Sequence, residues 1–247
     1  MDLPIDFTLI IAIGFAAQLI DGALGMAYGV TASALLLVCG IPPALSSATV
    51  HAAECFTTGA SAASHHAFGN IDRQLFGRLV LPGMAGAAAG AYLLGSIDGE
   101  ALKPWIAAYL LLMGLLILYR VWRRPQAPKP VRHLSELGFG GALLDAIGGG
   151  GWGPIVSGTL LARGQAFRLT VGTVNAAEFF VTATASAVFL LTLGSDYLRL
   201  VAGLAIGGVL AAPIGAWAVR RLDAQLMLGL VGTLVVALSL GTLYQLA

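Results

Sequence analysis

The stretch LLDAIGGGGWGP at residues 143–154 interrupts an apolar block that runs from about 134 to 163. Four consecutive glycines and a nearby proline do not belong inside a helix. Each glycine costs roughly 1 kcal/mol relative to alanine there, and proline removes a backbone donor. The block therefore reads as two arms of about 13 and 10 residues, roughly 20 and 15 Å long at 1.5 Å per residue. Neither arm crosses a hydrocarbon core ~30 Å thick, which needs about 20 apolar residues. Each reaches the middle and turns.

The same break occurs earlier, in a fainter form, as LIDGALGMAYGV at residues 19–30. Shifting the chain by 124 residues lays Asp21 on Asp145, Gly25 on Gly149, Gly29 on Gly153 and Gly40 on Gly164. Further on, TVHAAECF (49–56) meets TVNAAEFF (173–180), so that Glu54 falls on Glu178. Between Gly14 and Thr58, 18 of 45 positions are identical without a gap. Apolar composition inflates chance identity, but it does not align Asp with Asp and Glu with Glu. The chain is an internal duplication.

Its 247 residues are 58% hydrophobic and only 10% charged, against about 25% charged in a soluble domain. Apolar blocks run over 5–39, 45–68, 75–97, 104–122, 134–163, 169–193, 198–219 and 225–246. Six of them suit single crossings, and the first and fifth carry the glycine breaks. With those two as re-entrant hairpins, 11 of the 13 Lys and Arg residues collect on one side, all but Lys103 and Arg199. That side is cytoplasmic by the positive-inside rule. Three crossings per half make the second half inverted. The expected fold is thus an all-α membrane protein of two inverted repeats, each a glycine-broken re-entrant hairpin plus three crossing helices. Repeat one covers 5–122, a cytoplasmic linker 123–133, and repeat two 134–247, in a single membrane domain with both termini outside. Inverted repeats with broken helices are the architecture of secondary transporters.

A net charge of +1 without a basic face excludes nucleic acid as a partner. Cys39 and Cys55 make neither a disulfide framework nor a zinc site and read as packing residues. The N-terminus MDLPIDF places acids where a signal peptide needs basic residues, so the first apolar block is expected to be retained. His65 and His66, near a block end, are too few for a metal site, and no metal or cofactor is expected.

Both broken segments, together with TVNAAEFF and its copy, resemble the TauE/SafE sulfite exporter family of bacterial inner-membrane proteins. The resemblance covers nearly the whole chain. It implies a multi-pass inner-membrane secondary transporter of sulfite, sulfoacetate or other small sulfur-containing or organic anions. The chain departs from the family pattern in its first half, where Leu24, Met26 and Ala27 stand in place of the glycine run.

An oxyanion in hydrocarbon needs hydrogen-bond donors, and no basic residue falls well inside a block; Arg120 and Arg221 sit at block ends. The donors left are the unpaired N–H groups at the start of a broken helix, with about half a positive charge. Substrate contacts are therefore expected from Gly148, Gly149, Gly150, Gly151, Trp152 and Gly153, with Pro154 in the first turn of the following arm. Gly25, Met26, Ala27 and Tyr28 are their first-repeat counterparts. Glu54 and Glu178 lie mid-block, where an ionised carboxylate must be protonated, paired or facing a cavity. They are the expected proton carriers, with Asp21 and Asp145 beside the breaks as relays or as caps of freed backbone. His51 and Asn175, three residues before each Glu, share its helix face. Thr49 and Thr173, five residues before, complete the candidate substrate set. The expected partners are the anion, protons and the lipid bilayer, with the chain acting as monomer or homodimer. The alternatives are a cation permease or channel using Glu54 and Glu178, a carboxylate-type organic anion transporter, and an intramembrane aspartyl protease built on Asp21 and Asp145. The last lacks a GxGD motif at its second Asp, where the glycine run follows rather than precedes. Gly86, Gly90, Gly203 and Gly207 have small-xxx-small spacing and read as helix packing.

Overall fold

The six unbroken apolar blocks are long helices, as their lengths require. The structure is a computed structural model that describes residues 5–24, 26–97, 99–121, 131–218 and 224–246. Gly25, Arg220, Arg221 and most of the 123–133 linker lie outside the described residues. In chain order the helices are α1 (Phe7–Leu24), α2 (Tyr28–Val38), α3 (Pro43–Ala67), α4 (Arg73–Ser96), α5 (Gly99–Val121) and α6 (Leu134–Gly148). After the glycine run a π-helical turn (Gly153–Ser157) leads into α7 (Gly158–Ala162), followed by α8 (Phe167–Leu193), α9 (Leu198–Ala218) and α10 (Ala224–Leu246). Among the described residues, four segments are long and apolar enough to cross a bilayer: Arg73–Ser96, Ala101–Val121, Phe167–Leu193 and Leu228–Leu246. α3 has the length at 25 residues but is more polar, because it carries His51, Glu54 and a run of Ser and Thr.

Polarity is distributed inside out. Leu81, Trp105, Leu191 and Val209 stand on the exterior, while Thr31, Ser33, Ser47, Thr49, His51, Glu54, Asp145 and Thr173 are buried. Only an apolar solvent tolerates that exterior. The chain is an all-helical, multi-pass membrane protein.

The duplication persists in the packing. α1 lies along α9, and their counterparts 124 residues away, α6 and α4, lie along each other. α3 packs on its own copy α8, and α5 on its copy α10. Each broken segment is thus held by a helix of the other repeat. Local hydrogen bonds repeat too. α2 ends with Gly40 N–H donating to Leu37 O (3.0 Å) and Ile41 N–H to Leu36 O (3.0 Å). The counterpart α7 ends with Gly164 N–H to Leu161 O (2.9 Å) and Gln165 N–H to Leu160 O (3.1 Å). Gly40 and Gly164 adopt φ of +85° and +74°, left-handed conformations that glycine reaches without strain.

Small residues set the close helix contacts. A Cβ on Gly86 would strike the Phe139 carbonyl of α6, and one on Gly207 the Ile11 carbonyl of α1. Gly90 meets the Leu143 carbonyl and Gly203 the Ile10 side chain. Backbone cannot step aside as a side chain can, so Gly86→Leu is expected to cost about 2 kcal/mol or more in thermal unfolding of the detergent-solubilised protein. Gly140→Leu, at a site with nothing within 4 Å, is expected to leave the melting temperature within a degree or so of wild type.

Candidate functional site

The two breaks cross backbone to backbone. A Cβ on Gly29 would lie 2.8 Å from Gly150 Cα and 3.0 Å from Glu54 Oε1, and one on Gly153 would lie 2.8 Å from Met26 Cα. Gly149, Gly150 and Gly151 have φ of +72°, +155° and +150°, a run of conformations that L-residues with side chains rarely adopt. Glycine is needed here twice over, for the turn and for the close approach.

An aspartate holds each break. Asp21 Oδ1 accepts from the N–H groups of Ala27 (2.8 Å) and Tyr28 (3.2 Å) at the start of α2. Asp145 Oδ1 accepts from the N–H of Trp152, the counterpart of Tyr28, at 2.9 Å. The Asp145 carbonyl also takes the N–H of Gly149 and, at 3.0 Å, that of Gly150. Trp152 is fully buried, and its Nε1–H donates to Val174 O (3.3 Å), anchoring the break to α8.

Hydroxyls from the first repeat occupy the carbonyls of the second break. Ser33 donates to Gly149 O, Ser47 to Ala146 O (2.5 Å) and Tyr109 to Gly150 O (2.9 Å). The N–H groups are treated differently. Those of Gly29, Val30, Gly151 and Gly153 have no hydrogen-bond partner among the described residues. All four residues line a cavity of about 310 Å³ between the breaks. Residues with unpaired donors thus border this cavity, while the carbonyls of Ala146, Gly149 and Gly150 are engaged by hydroxyls.

Asp21, Glu54, Asp145 and Glu178 also line the cavity, as do Met26, Tyr28 and Asn175. Glu54 is 5% exposed, and its Oε2 has no hydrogen-bond partner among the described residues. Asn175 donates to Ser61 Oγ at 3.1 Å. Gly148, Gly149, Gly150, Ala27 and Trp152 form the wall behind the lining rather than the lining itself. Thr49 donates to Leu45 O (2.6 Å) and Thr173 accepts from Asp72 N–H (2.8 Å); both are fully buried in helix contacts outside the lining. His51 lies outside the lining as well, with Nε2 3.1 Å from Asp145 Oδ2. From the breaks the cavity extends along α3 through Ser61 to His65 and along α8 back to Val171 and Phe167. It thus reaches one end of the α3–α8 pair.

Sequence reasoning missed Ser33, Ser47, Tyr109 and Arg120. Ser33 had a signal, since its counterpart is Ser157. The other three act across the repeats and leave none. The Arg120 guanidinium, expected at a block end, packs against Gly158, donates to Pro154 O and reaches the Met26 sulfur at 4.0 Å. It therefore touches both broken segments. Its counterpart, Tyr244, is 85% exposed.

The family model "Sulfite exporter TauE/SafE" matches residues 10–242. The chain belongs to the TauE/SafE family. It is also 44% identical over 241 residues to a Bacillus subtilis (strain 168) protein named "Probable membrane transporter protein YtnM", an alignment covering 94% of this chain and 80% of that relative. No solved structure gives a significant match. Membership makes this TauE/SafE chain a membrane transport protein, and the glycine-broken pair is where its polar groups converge.

Removing one hydroxyl at the break tests its carbonyl accounting. Tyr109→Phe leaves the Gly150 carbonyl without its donor and is expected to cost about 1–3 kcal/mol in thermal unfolding. Gly150→Ala, whose Cβ would strike the Gly29–Val30 backbone, is expected to abolish the yield of folded protein. Gly77→Ala, with open space around it, is expected to leave the yield unchanged.

Proposed function

We propose that this TauE/SafE protein is a proton-coupled secondary transporter of small sulfur-containing oxyanions, sulfite or organosulfonates such as sulfoacetate. It works by alternating access about a midplane site between two inverted repeats. The observation that carries the anion reading is the sorting of the breaks' polar groups: Gly29, Val30, Gly151 and Gly153, whose N–H groups have no partner among the described residues, line the cavity, while the carbonyls of Ala146, Gly149 and Gly150 are taken by Ser47, Ser33 and Tyr109. Unpaired N–H groups at the starts of two helical segments suit an anion. The family's description and the relative's name as a membrane transporter support the same direction.

Proton coupling follows from the company the anion would keep. Four carboxylates, Asp21, Glu54, Asp145 and Glu178, line the same small cavity. An oxyanion entering beside ionised carboxylates would be repelled, so it must arrive with protons that neutralise some of them. Glu54 and Glu178, at equivalent positions in the repeats, are the carriers. Asp21 and Asp145, tied to the N–H groups of the breaks, transmit that charge to the backbone that binds the substrate. Within the inverted topology, with the basic side cytoplasmic, the end of the cavity near His65 and Phe167 faces inward. Arg120 then supplies positive charge beside Met26 and Pro154 on that side.

The four carboxylates also favour a second reading, a cation permease. Against it, among the described residues no three His, Cys, Asp or Glu side chains form a metal-binding group, and the carbonyls of Ala146, Gly149 and Gly150 are already engaged. Thermal-shift measurements on the purified protein separate the two. Sulfite or sulfoacetate is expected to raise the melting temperature more than small carboxylates do. Stabilisation by mono- or divalent cations alone would overturn the anion reading. In proteoliposomes, Glu54→Gln and Glu178→Gln are each expected to reduce pH-dependent sulfite flux by about tenfold or more with little loss of thermal stability. Wild-type pH dependence in both variants would remove the coupling role.

A further inference from the structure

A contact between two titratable side chains of the site has no counterpart in the duplication. His51 on α3 belongs to the first repeat and Asp145 on α6 to the second, and their side chains meet at 3.1 Å between Nε2 and Oδ2. The equivalent pair would be Asn175 with Asp21, and Asn175 instead bonds Ser61. His51 is fully buried and the Asp145 side chain is 3% exposed.

Hydrogen-bond chemistry fixes the protons. His51 Nδ1 lies 2.8 Å from the Ser47 carbonyl, an oxygen that can only accept, so Nδ1 carries a hydrogen. Ser47 Oγ, also 3.3 Å from Nδ1, already donates to Ala146 O, and it too can only accept from the imidazole. The hydrogen bond between Nε2 and Oδ2 therefore requires one further proton, on either atom. If that proton leaves, a nitrogen lone pair faces a carboxylate oxygen, and attraction becomes repulsion.

We propose that His51 and Asp145 form a single shared proton-binding site that fastens the second break to the first repeat. Asp145 Oδ1 holds the N–H of Trp152 while Oδ2 holds the proton, so the one carboxylate ties the start of the second broken arm to α3. Asp145 lines the cavity and His51 does not, which gives the proton its route in and out through the carboxylate. The surrounding titratable groups are Glu54 and Cys55 on α3, Tyr109 on α5, Glu178 on α8, and Asp21 and Tyr28 at the first break. Arg120, the nearby cation on α5, is turned to Pro154 and Gly158. Nothing described around the pair replaces the proton with a fixed positive charge. The fastening holds while the proton is bound and is lost as pH rises.

This inference deepens the coupling proposed above but does not rest on the substrate, so its test uses protein alone. Thermal unfolding of the purified wild-type chain, followed from about pH 5.5 to about pH 9, is expected to show a fall in melting temperature of about 5 °C as the proton leaves. His51→Gln places a permanent amide donor against Asp145, and Asp145→Asn places one against Nε2; each is expected to abolish that step. The Glu54→Gln/Glu178→Gln double variant is expected to keep it. A step that survives both H51Q and D145N, or that is lost only in the glutamate variant, overturns the proposal. Should the variants not fold, NMR of nitrogen-labelled histidine in the wild-type protein reads the site directly. Nδ1 is expected to stay protonated over the range while the Nε2 signal moves, and an Nε2 signal that does not move also overturns it.

Discussion

The contact on which the rest depends is the crossing of two polypeptide backbones at Gly29 and Gly150, with Met26 against Gly153 beside it. In hydrocarbon every broken helix exposes N–H and C=O groups that no water will satisfy. Two such breaks can exist only if they are buried against protein, and burying both in one place lets one set of side chains serve each. Asp21 and Asp145 take N–H groups, Ser33, Ser47 and Tyr109 take carbonyls, and residues of both breaks line a shared cavity. The interlocked packing of α1 on α9 and α6 on α4 follows from this arrangement, because each arm must reach into the other half.

Much of this was legible in the chain. Glycine and proline mark the interruptions because no helix interior accommodates them in that number. The 124-residue shift marks the equivalent helices, the paired Gly40 and Gly164 termini follow it bond for bond, and the two Asp caps share the bond to Tyr28 and to its counterpart Trp152. These caps and termini repeat because each needs only residues close in sequence, no more than 7 positions apart.

The cross-repeat contacts were not legible. His51 meets Asp145 across 94 residues, Ser33 reaches Gly149 across 116, and the Arg120 guanidinium folds inward onto Gly158, where no side chain stands in its way. Such contacts depend on which helix lies beside which, and periodicity carries no record of that. The repeated threonines taught the converse. Thr49 and Thr173 sit in the matched motif, yet their hydroxyls serve Leu45 and Asp72 in buried helix contacts. Duplication marks positions under common constraint, and for these two hydroxyls the structure shows helix contacts.

A crossing made of main chain rather than side chains has a further consequence. Where two side chains interlock, a larger residue on one partner can be matched by a smaller one on the other. At Gly29 and Gly150 each would-be Cβ meets main-chain atoms of the opposite segment, and main chain has no smaller form. No second-site exchange restores the fit. The two breaks are therefore bound to remain minimal together, however freely the helices that carry them diverge.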